Sequence, residues 1–160
     1  MKVVIALGAN LGDPRKQISL AIDALRDIMR VEKVSSLYET APFKVSDQQP
    51  NYINAVLIGD TELQPKELIK QLLKIESTLG RQRTIPKAAR TINIDIIDYE
   101  GFFLKSEALT LPHPRAHERK FVLEPWAEID PEAELLGYGP IKELLAALES
   151  RSRLHSAWYH

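Results

Sequence analysis

Asn93 and Asp95 lie two residues apart in Thr91–Tyr99, where they alternate with Ile92, Ile94 and Ile96. On an extended chain such positions project from one face with Cα atoms roughly 6.5 to 7 Å apart, so an amide oxygen and a carboxylate point together. Two hard-oxygen groups at that spacing suit Mg²⁺, which takes few protein ligands and completes its shell with water and substrate phosphates. The pair equally suits the solvated side of an edge strand, and its company has to decide. That company is cationic: Arg81, Arg83, Lys87 and Arg90 precede the strand, and His113, Arg115, His117, Arg119 and Lys120 form a second cluster. Arginine recognises phosphate through two parallel hydrogen bonds, although clustered charge also makes ordinary solvated faces. The set suits transfer of a phosphate-containing group from ATP, with positioning and electrostatics carrying the catalysis.

Other residues stand out against their surroundings. Glu76 falls inside the apolar arc of Leu68, Leu72, Leu73 and Leu79, so its carboxylate needs a partner: a ligand, or Arg81 or Arg83 at the helix end. Tyr52 and Asn54 share a strand face and offer a flat heterocycle an aromatic surface beside a two-way amide; both also occur as ordinary sheet residues. His113 and His117 are separated by Pro114 and lack a third ligand, which favours phosphate contact by His113 over a structural zinc site. Gly8-Ala9-Asn10-Leu11-Gly12-Asp13 lacks the Lys-Ser/Thr ending of a P-loop and marks a turn. No nucleophile elbow or kinase catalytic loop is present.

The elements needed to hold these groups are legible. Lys2–Leu7 reads as a strand, and Asp13-Pro14 caps a helix whose apolar face runs from Ile18 to Met29. Val31–Thr40 and Tyr52–Asp60 read as strands around a long loop, Ala41–Asn51. Pro65 opens a second helix with Gly80 in the C-cap position, and Thr91–Tyr99 is the clearest strand. The order βαββαβ predicts an α+β, ferredoxin-like fold: an antiparallel sheet, two helices on one face, the other face left for a ligand. Helical segments near Arg115–Ile129 and Ile141–Leu148 follow a turn at Leu111-Pro112-His113-Pro114.

The whole chain narrows the classes. Its 160 residues, 44% hydrophobic, fit one domain spanning 1–160. A net charge of −1 argues against a nucleic-acid-coating protein, and the absence of cysteine excludes disulfides and thiolate metal sites. No apolar run reaches membrane-spanning length, so a cytoplasmic location is expected. No exposed apolar stripe stands out, and a monomer is the simplest expectation.

Taken as a set, the residues resemble the 6-hydroxymethyl-7,8-dihydropterin pyrophosphokinase family of folate biosynthesis. The carriers are Gly8–Gly12, Ser35-Ser36-Leu37-Tyr38-Glu39-Thr40-Ala41-Pro42, Asn51–Ala55, Ile75-Glu76 with Gly80-Arg81, Arg90–Ile96, and Leu111-Pro112-His113. The resemblance implies transfer of the β,γ-pyrophosphoryl group of Mg-ATP to the pterin hydroxymethyl group, with release of AMP. It implies a pterin site of Thr40, Pro42, Phe43, Tyr52, Asn54 and Phe121. ATP would meet Glu76, Arg83, Arg90, Ile96, Thr110, His113 and Arg119. Asn93 and Asp95 would hold two Mg²⁺ ions, and Asp95, Arg83 and Arg90 would carry catalysis. The family has aspartate at both metal positions, so Asn93 leaves a second expectation: a pterin- or nucleotide-binding member with weakened catalysis. A third, protein or RNA binding through the basic loop, lacks the surface aromatic pair it would need.

Overall fold

A computed structural model describes residues 1–41, 51–81 and 92–159. Its order is β1 (Lys2–Ala9), α1 (Pro14–Arg26), β2 (Arg30–Val34), β3 (Tyr38–Thr40), β4 (Tyr52–Asp60), α2 (Pro65–Arg81) and β5 (Asn93–Tyr99). Beyond these come β6 (Leu104–Lys105), β7 (Thr110–Leu111), a 3₁₀ turn (Ala116–Glu118), α3 (Lys120–Ile129), β8 (Glu134–Leu135), β9 (Gly139–Pro140) and α4 (Ile141–Tyr159). The fold is mixed α/β. One antiparallel sheet runs β2-β4-β1-β5, with β3 also on β4, and two hairpins, β6-β7 and β8-β9, stand apart.

Alternation of side chains fixes which residues each face buries. Ile5 and Leu7 of β1, Leu57 of β4 and Ile94 and Ile96 of β5 pack with Ile18 and Leu25 of α1 and Leu68 and Leu72 of α2. Ile5, Leu57, Leu68 and Leu72 are fully buried, each contributing roughly 2 kcal/mol of transfer free energy. On the opposite face Val4, Val56, Ile58 and Ile97 meet Val122, Leu123 and Trp126 of α3 and Ile141 of α4. That face is therefore open only in part. The C-terminal helices cover one end of it because β1, β4 and β5 all present aliphatic residues there.

Several local expectations change. The expected strand Val31–Thr40 breaks at 35–37, where Ser35 bonds to Val56: its backbone N–H donates to the Val56 carbonyl at 2.9 Å and its Oγ accepts from the Val56 N–H at 2.9 Å. Gly80 lies inside α2, which continues to Arg81, so it is no C-cap. A register shift between Val4 and Ile5 lets β5 bury Ile97 against α3 and Tyr99 against α1 and α2, a reversal that simple alternation forbids. The last helix runs well past Leu148. Its polar continuation, Glu149-Ser150-Arg151, gives no apolar stripe by which to find it. The first helix begins as expected, with the Asp13 carboxylate accepting from Lys16 N–H at 3.2 Å and Pro14 in the first turn.

Candidate active site

The end of the sheet that α3 and α4 leave uncovered gathers the chemistry. Asn54 pairs in register with Tyr38 on one side and Gly8 on the other, and Gly8 pairs with Asn93. Tyr38, Asn54, Gly8 and Asn93 therefore form one row across four strands on a common face, with neighbouring Cβ positions about 5 Å apart. A second row, Val56-Ala6-Asp95, lies beside it, and Thr40 pairs with Tyr52 at the sheet's end.

Within the first row the polar groups are already oriented. The Asn54 Nδ2 donates to Thr40 Oγ1 at 2.8 Å, which fixes the amide of a residue only 7% exposed. Tyr52 is 37% exposed, leaving a ring face to solvent beside it. Gly8 is the floor between Asn54 and Asn93: a Cβ there would stand 3.1 Å from Asn54 Oδ1. Asn93 Nδ2 donates to Asp95 Oδ2 at 2.8 Å, while Asn93 Oδ1 is buried without a hydrogen-bond partner among the described residues. A buried orphan oxygen beside a carboxylate is the donor set a hard divalent cation accepts, so these two residues fit Mg²⁺. Among the described residues no group of three or more His, Asp or Glu side chains could hold a metal, so substrate oxygens and water would have to complete any shell here.

The strand edge carries a second set. Glu76 Oε2 accepts from the Ile94 backbone N–H at 2.7 Å, which gives the carboxylate in the apolar arc of α2 a definite partner. Because β5 pairs, among the described residues, only with β1, Ile96, two residues on, turns its backbone N–H and carbonyl to the same outer edge. Its side chain is 2% exposed in the helix-side core, so only its backbone can meet a ligand. His113 is drawn back beside β5 by its own N–H, which donates to the Ile97 carbonyl at 2.8 Å. Burial holds its imidazole below the ordinary value, opposed by Asp95 and reinforced by Arg119 and Arg115. Its Nδ1 accepts from Arg115 N–H at 3.2 Å, so the neutral ring carries its proton on Nε2. Arg119 precedes α3 with its guanidinium 5.4 Å from the Phe121 ring centre, and Thr110 is half-buried on β7. A cavity of about 370 Å³ lined by Asp98, Gly101, Leu135 and Tyr138 lies beyond the other end of β5, away from this set.

A family profile described as 7,8-dihydro-6-hydroxymethylpterin-pyrophosphokinase matches residues 4–131. The chain belongs to that family. It is 38% identical over 150 residues to a 2-amino-4-hydroxy-6-hydroxymethyldihydropteridine pyrophosphokinase of Methylorubrum extorquens, covering 92% of this chain and 94% of that one. It is also 38% identical over 158 residues to the folic acid synthesis protein fol1 of Schizosaccharomyces pombe, covering 96% of this chain but only 21% of the yeast protein. The chain thus spans about a fifth of that longer relative. The wild-type HPPK-DHPS structure of Plasmodium falciparum superposes with a TM-score of 0.75 at 15% identity, over 96% of this chain and 46% of that one, a likeness of fold.

Within this chain, Thr40, Tyr52, Asn54, Asn93 and Asp95 lie on one sheet face, and Glu76 and Ile96 bind or flank the β5 edge. Pro42, Phe43, Arg83 and Arg90 lie outside the described residues. Sequence reasoning passed over three residues of the same region. In the sequence Gly8 reads as part of a turn and of the Gly8–Gly12 motif, and its place between two amides emerges from the register. Tyr38 stands out in the sequence only within the motif Ser35–Pro42, and Glu128 gives no signal there, because the partners that single it out are about 90 positions away.

Proposed function

We propose that the chain transfers the β,γ-pyrophosphoryl group of ATP to the hydroxymethyl oxygen of 6-hydroxymethyl-7,8-dihydropterin and releases AMP. The observation that carries this is the row Tyr38-Asn54-Gly8-Asn93, in which a fixed amide and a metal-suited amide share one face across a glycine floor. Asn54 reads the donor–acceptor edge of the heterocycle, its orientation set by Thr40. Tyr52, Phe43 and Phe121 supply aromatic surface and Pro42 an apolar wall. The nucleotide lies along the β5 edge, with Glu76 and the Ile96 backbone beside it and Thr110, His113, Arg119, Arg83 and Arg90 toward its phosphates. Asn93 and Asp95 would hold Mg²⁺, two ions on this reading, which would supply positive charge to offset that of the transferring group.

In the step itself the substrate hydroxyl oxygen bonds to the β-phosphorus as the bond from that phosphorus to the α-phosphate's bridging oxygen breaks. Its proton passes toward Asp95, and AMP departs with the electron pair. Arg83 and Arg90 balance the charge that develops on the phosphate oxygens. His113, neutral and with Nε2–H free to donate, orients a phosphate without adding a competing charge.

The same reading takes residues 1–160 as one pyrophosphokinase domain with a ferredoxin-like βαββαβ core. The strand order β2-β4-β1-β5 and the packing of α1 and α2 on one face support it. It places the protein in the cytoplasm as a monomer without nucleic-acid partners. Near-neutral charge is consistent with that, as is the finding that among the described residues no helix is long and apolar enough to cross a membrane. Incubation with Mg-ATP and the hydroxymethyl-dihydropterin, followed by nucleotide separation, tests the reading: AMP is expected. ADP as sole product, or no pterin-dependent turnover at high Mg²⁺, overturns it; calorimetric pterin binding without turnover identifies a member that binds but barely catalyses.

A further inference from the structure

Four hydrogen bonds converge on the Glu128 carboxylate. Ser36 N–H donates to both oxygens at 3.1 Å, Ser36 Oγ to Oε2 at 2.8 Å, and Tyr38 Oη to Oε1 at 2.7 Å. The donors belong to β3 and the link before it, and the acceptor to α3, so one side chain joins the two elements. Glu128 is exposed, and hydrogen bonds open to water stabilise little. Four bonds on one carboxylate nevertheless fix position tightly. Burial, with the Glu128 carboxylate beside it, pushes the Tyr38 phenol up to about 12, so it stays a donor at all ordinary pH.

What lies on each side of this joint gives it a consequence. Two residues along β3 from Tyr38 is Thr40, whose hydroxyl holds Asn54. Tyr38 itself stands in the row beside Asn54. On the helix, Phe121 precedes Glu128 by seven residues, two turns, and so shares its stripe to within about 20°. Val122, Leu123 and Trp126 hold α3 on the sheet, and the Glu128 contacts act on the stripe of the helix that carries Phe121.

We propose that Glu128 is a positioning residue for the flat heterocyclic substrate: through Ser36 and Tyr38 it sets the gap between the Asn54–Thr40 pair and Phe121. The inference rests on the reading of this site as the pterin site. It predicts a defect confined to one of the two substrates. Tyr38→Phe, which deletes a single hydroxyl, and Glu128→Leu each raise the pterin KM roughly tenfold, because small displacements of gripping groups cost binding steeply. Glu128→Leu, which lies outside the row, leaves the nucleotide KM and the turnover at saturating pterin within about twofold. The double variant is no worse than Glu128→Leu alone, since both changes open one joint. Glu128→Gln, which keeps an oxygen acceptor, recovers most of the loss.

Steady-state kinetics on the full chain, calorimetric pterin binding and thermal denaturation read these outcomes together. A pterin KM unchanged in Tyr38→Phe and Glu128→Leu, or equal losses toward ATP and pterin, overturns the proposal while leaving the pyrophosphokinase reading intact. If the unsubstituted protein binds pterin but forms no AMP, the reading of the activity fails and the calorimetric ratios alone judge Glu128. If it neither binds nor reacts with pterin, both fall.

Discussion

Replacing Gly8 by alanine separates binding from folding. The new Cβ would sit 3.1 Å from Asn54 Oδ1, against 3.4 Å for ordinary contact, and 4.0 Å from the Ile53 carbonyl, which is harmless. The crowding of 0.3 Å (3.4 less 3.1) must be relieved by the Asn54 amide, because the backbone on either side is locked in the β1–β4 ladder. That amide is tied to Thr40 at 2.8 Å, so it moves only by stretching this bond or turning away from the row. Folding should barely respond: alanine lowers the entropy cost of ordering a strand glycine by about 0.5–1 kcal/mol, which offsets a contact penalty of similar size. Binding should respond strongly. Misdirecting one buried hydrogen-bonding edge costs ~1.5–3 kcal/mol, or roughly 10- to 100-fold in pterin affinity. Calorimetric titration with pterin alongside thermal denaturation reads both. Gly59→Ala is the matching control, since its Cβ would meet Met29 Sδ at 2.8 Å and the Arg30 carbonyl at 3.1 Å, away from the row. It should lower stability by about 1–3 kcal/mol and leave pterin affinity unchanged in the folded fraction. Unchanged pterin affinity in a folded Gly8→Ala protein would refute the assignment of the row as the binding floor.

Three further outcomes follow from the same contacts. Asn93→Asp removes the donor that holds Asp95 Oδ2 at 2.8 Å and sets two carboxylates side by side. The metal-free variant should be less thermostable than the unsubstituted chain, while its Mg²⁺ midpoint for turnover drops by roughly tenfold, as read by Mg²⁺ titration of AMP formation. Asp98 is half-buried, and burial raises its pKa above the ordinary 3.8. The folded state then binds that proton more tightly than the unfolded state, so its contribution is full below 3.8 and is lost as pH rises through the folded value. Asp98→Asn should therefore raise the melting temperature near neutrality, with the gain vanishing toward acid pH in a series of thermal melts. Asp13→Ala loses the bond that caps α1 and should cost about 1 kcal/mol in urea denaturation without altering turnover.

How much of this was readable in the chain depended on whether a contact is local. Strand β5 could be placed, and its faces assigned, because Ile92, Ile94 and Ile96 alternate with Asn93 and Asp95, and a period of two is a property of adjacent residues. Helix α1 could be started at Pro14 because the capping carboxylate of Asp13 is three residues from its donor, the Lys16 N–H. Glu76 could be recognised as an anomaly but not resolved, since its partner is the backbone N–H of Ile94, on another element. The break between β2 and β3 was hidden for a related reason: Ser35 replaces a ladder bond with its hydroxyl, and nothing in Val-Ser-Ser-Leu announces the exchange. The β-bulge at Ile97 and the joint at Glu128 depend on strand register and helix docking, which no window of sequence contains.

One pattern joins fold to site, and it runs along the strands. Down the same face, β1 presents Val4, Ala6 and Gly8, β4 presents Ile58, Val56 and Asn54, and β5 presents Ile97, Asp95 and Asn93. Each of these three strands passes from aliphatic to small or polar in the same direction. The aliphatic end must be covered, and α3 and α4 cover it with Val122, Trp126 and Ile141. The other end offers α3 no apolar surface to bury, so the helix begins near that boundary, at Lys120, with Arg119 and Phe121 beside it. The shrinking side chains of β1 lower the floor where the polar groups of β4 and β5 rise around it, and Gly8 is its lowest point. Substituting Ala6 by valine would extend the aliphatic end by one row. The structural expectation is deeper coverage by α3 at the expense of the space above Asp95, whose register partner Ala6 is. A core and a binding face are thus specified by one alternating pattern, divided by where it turns polar.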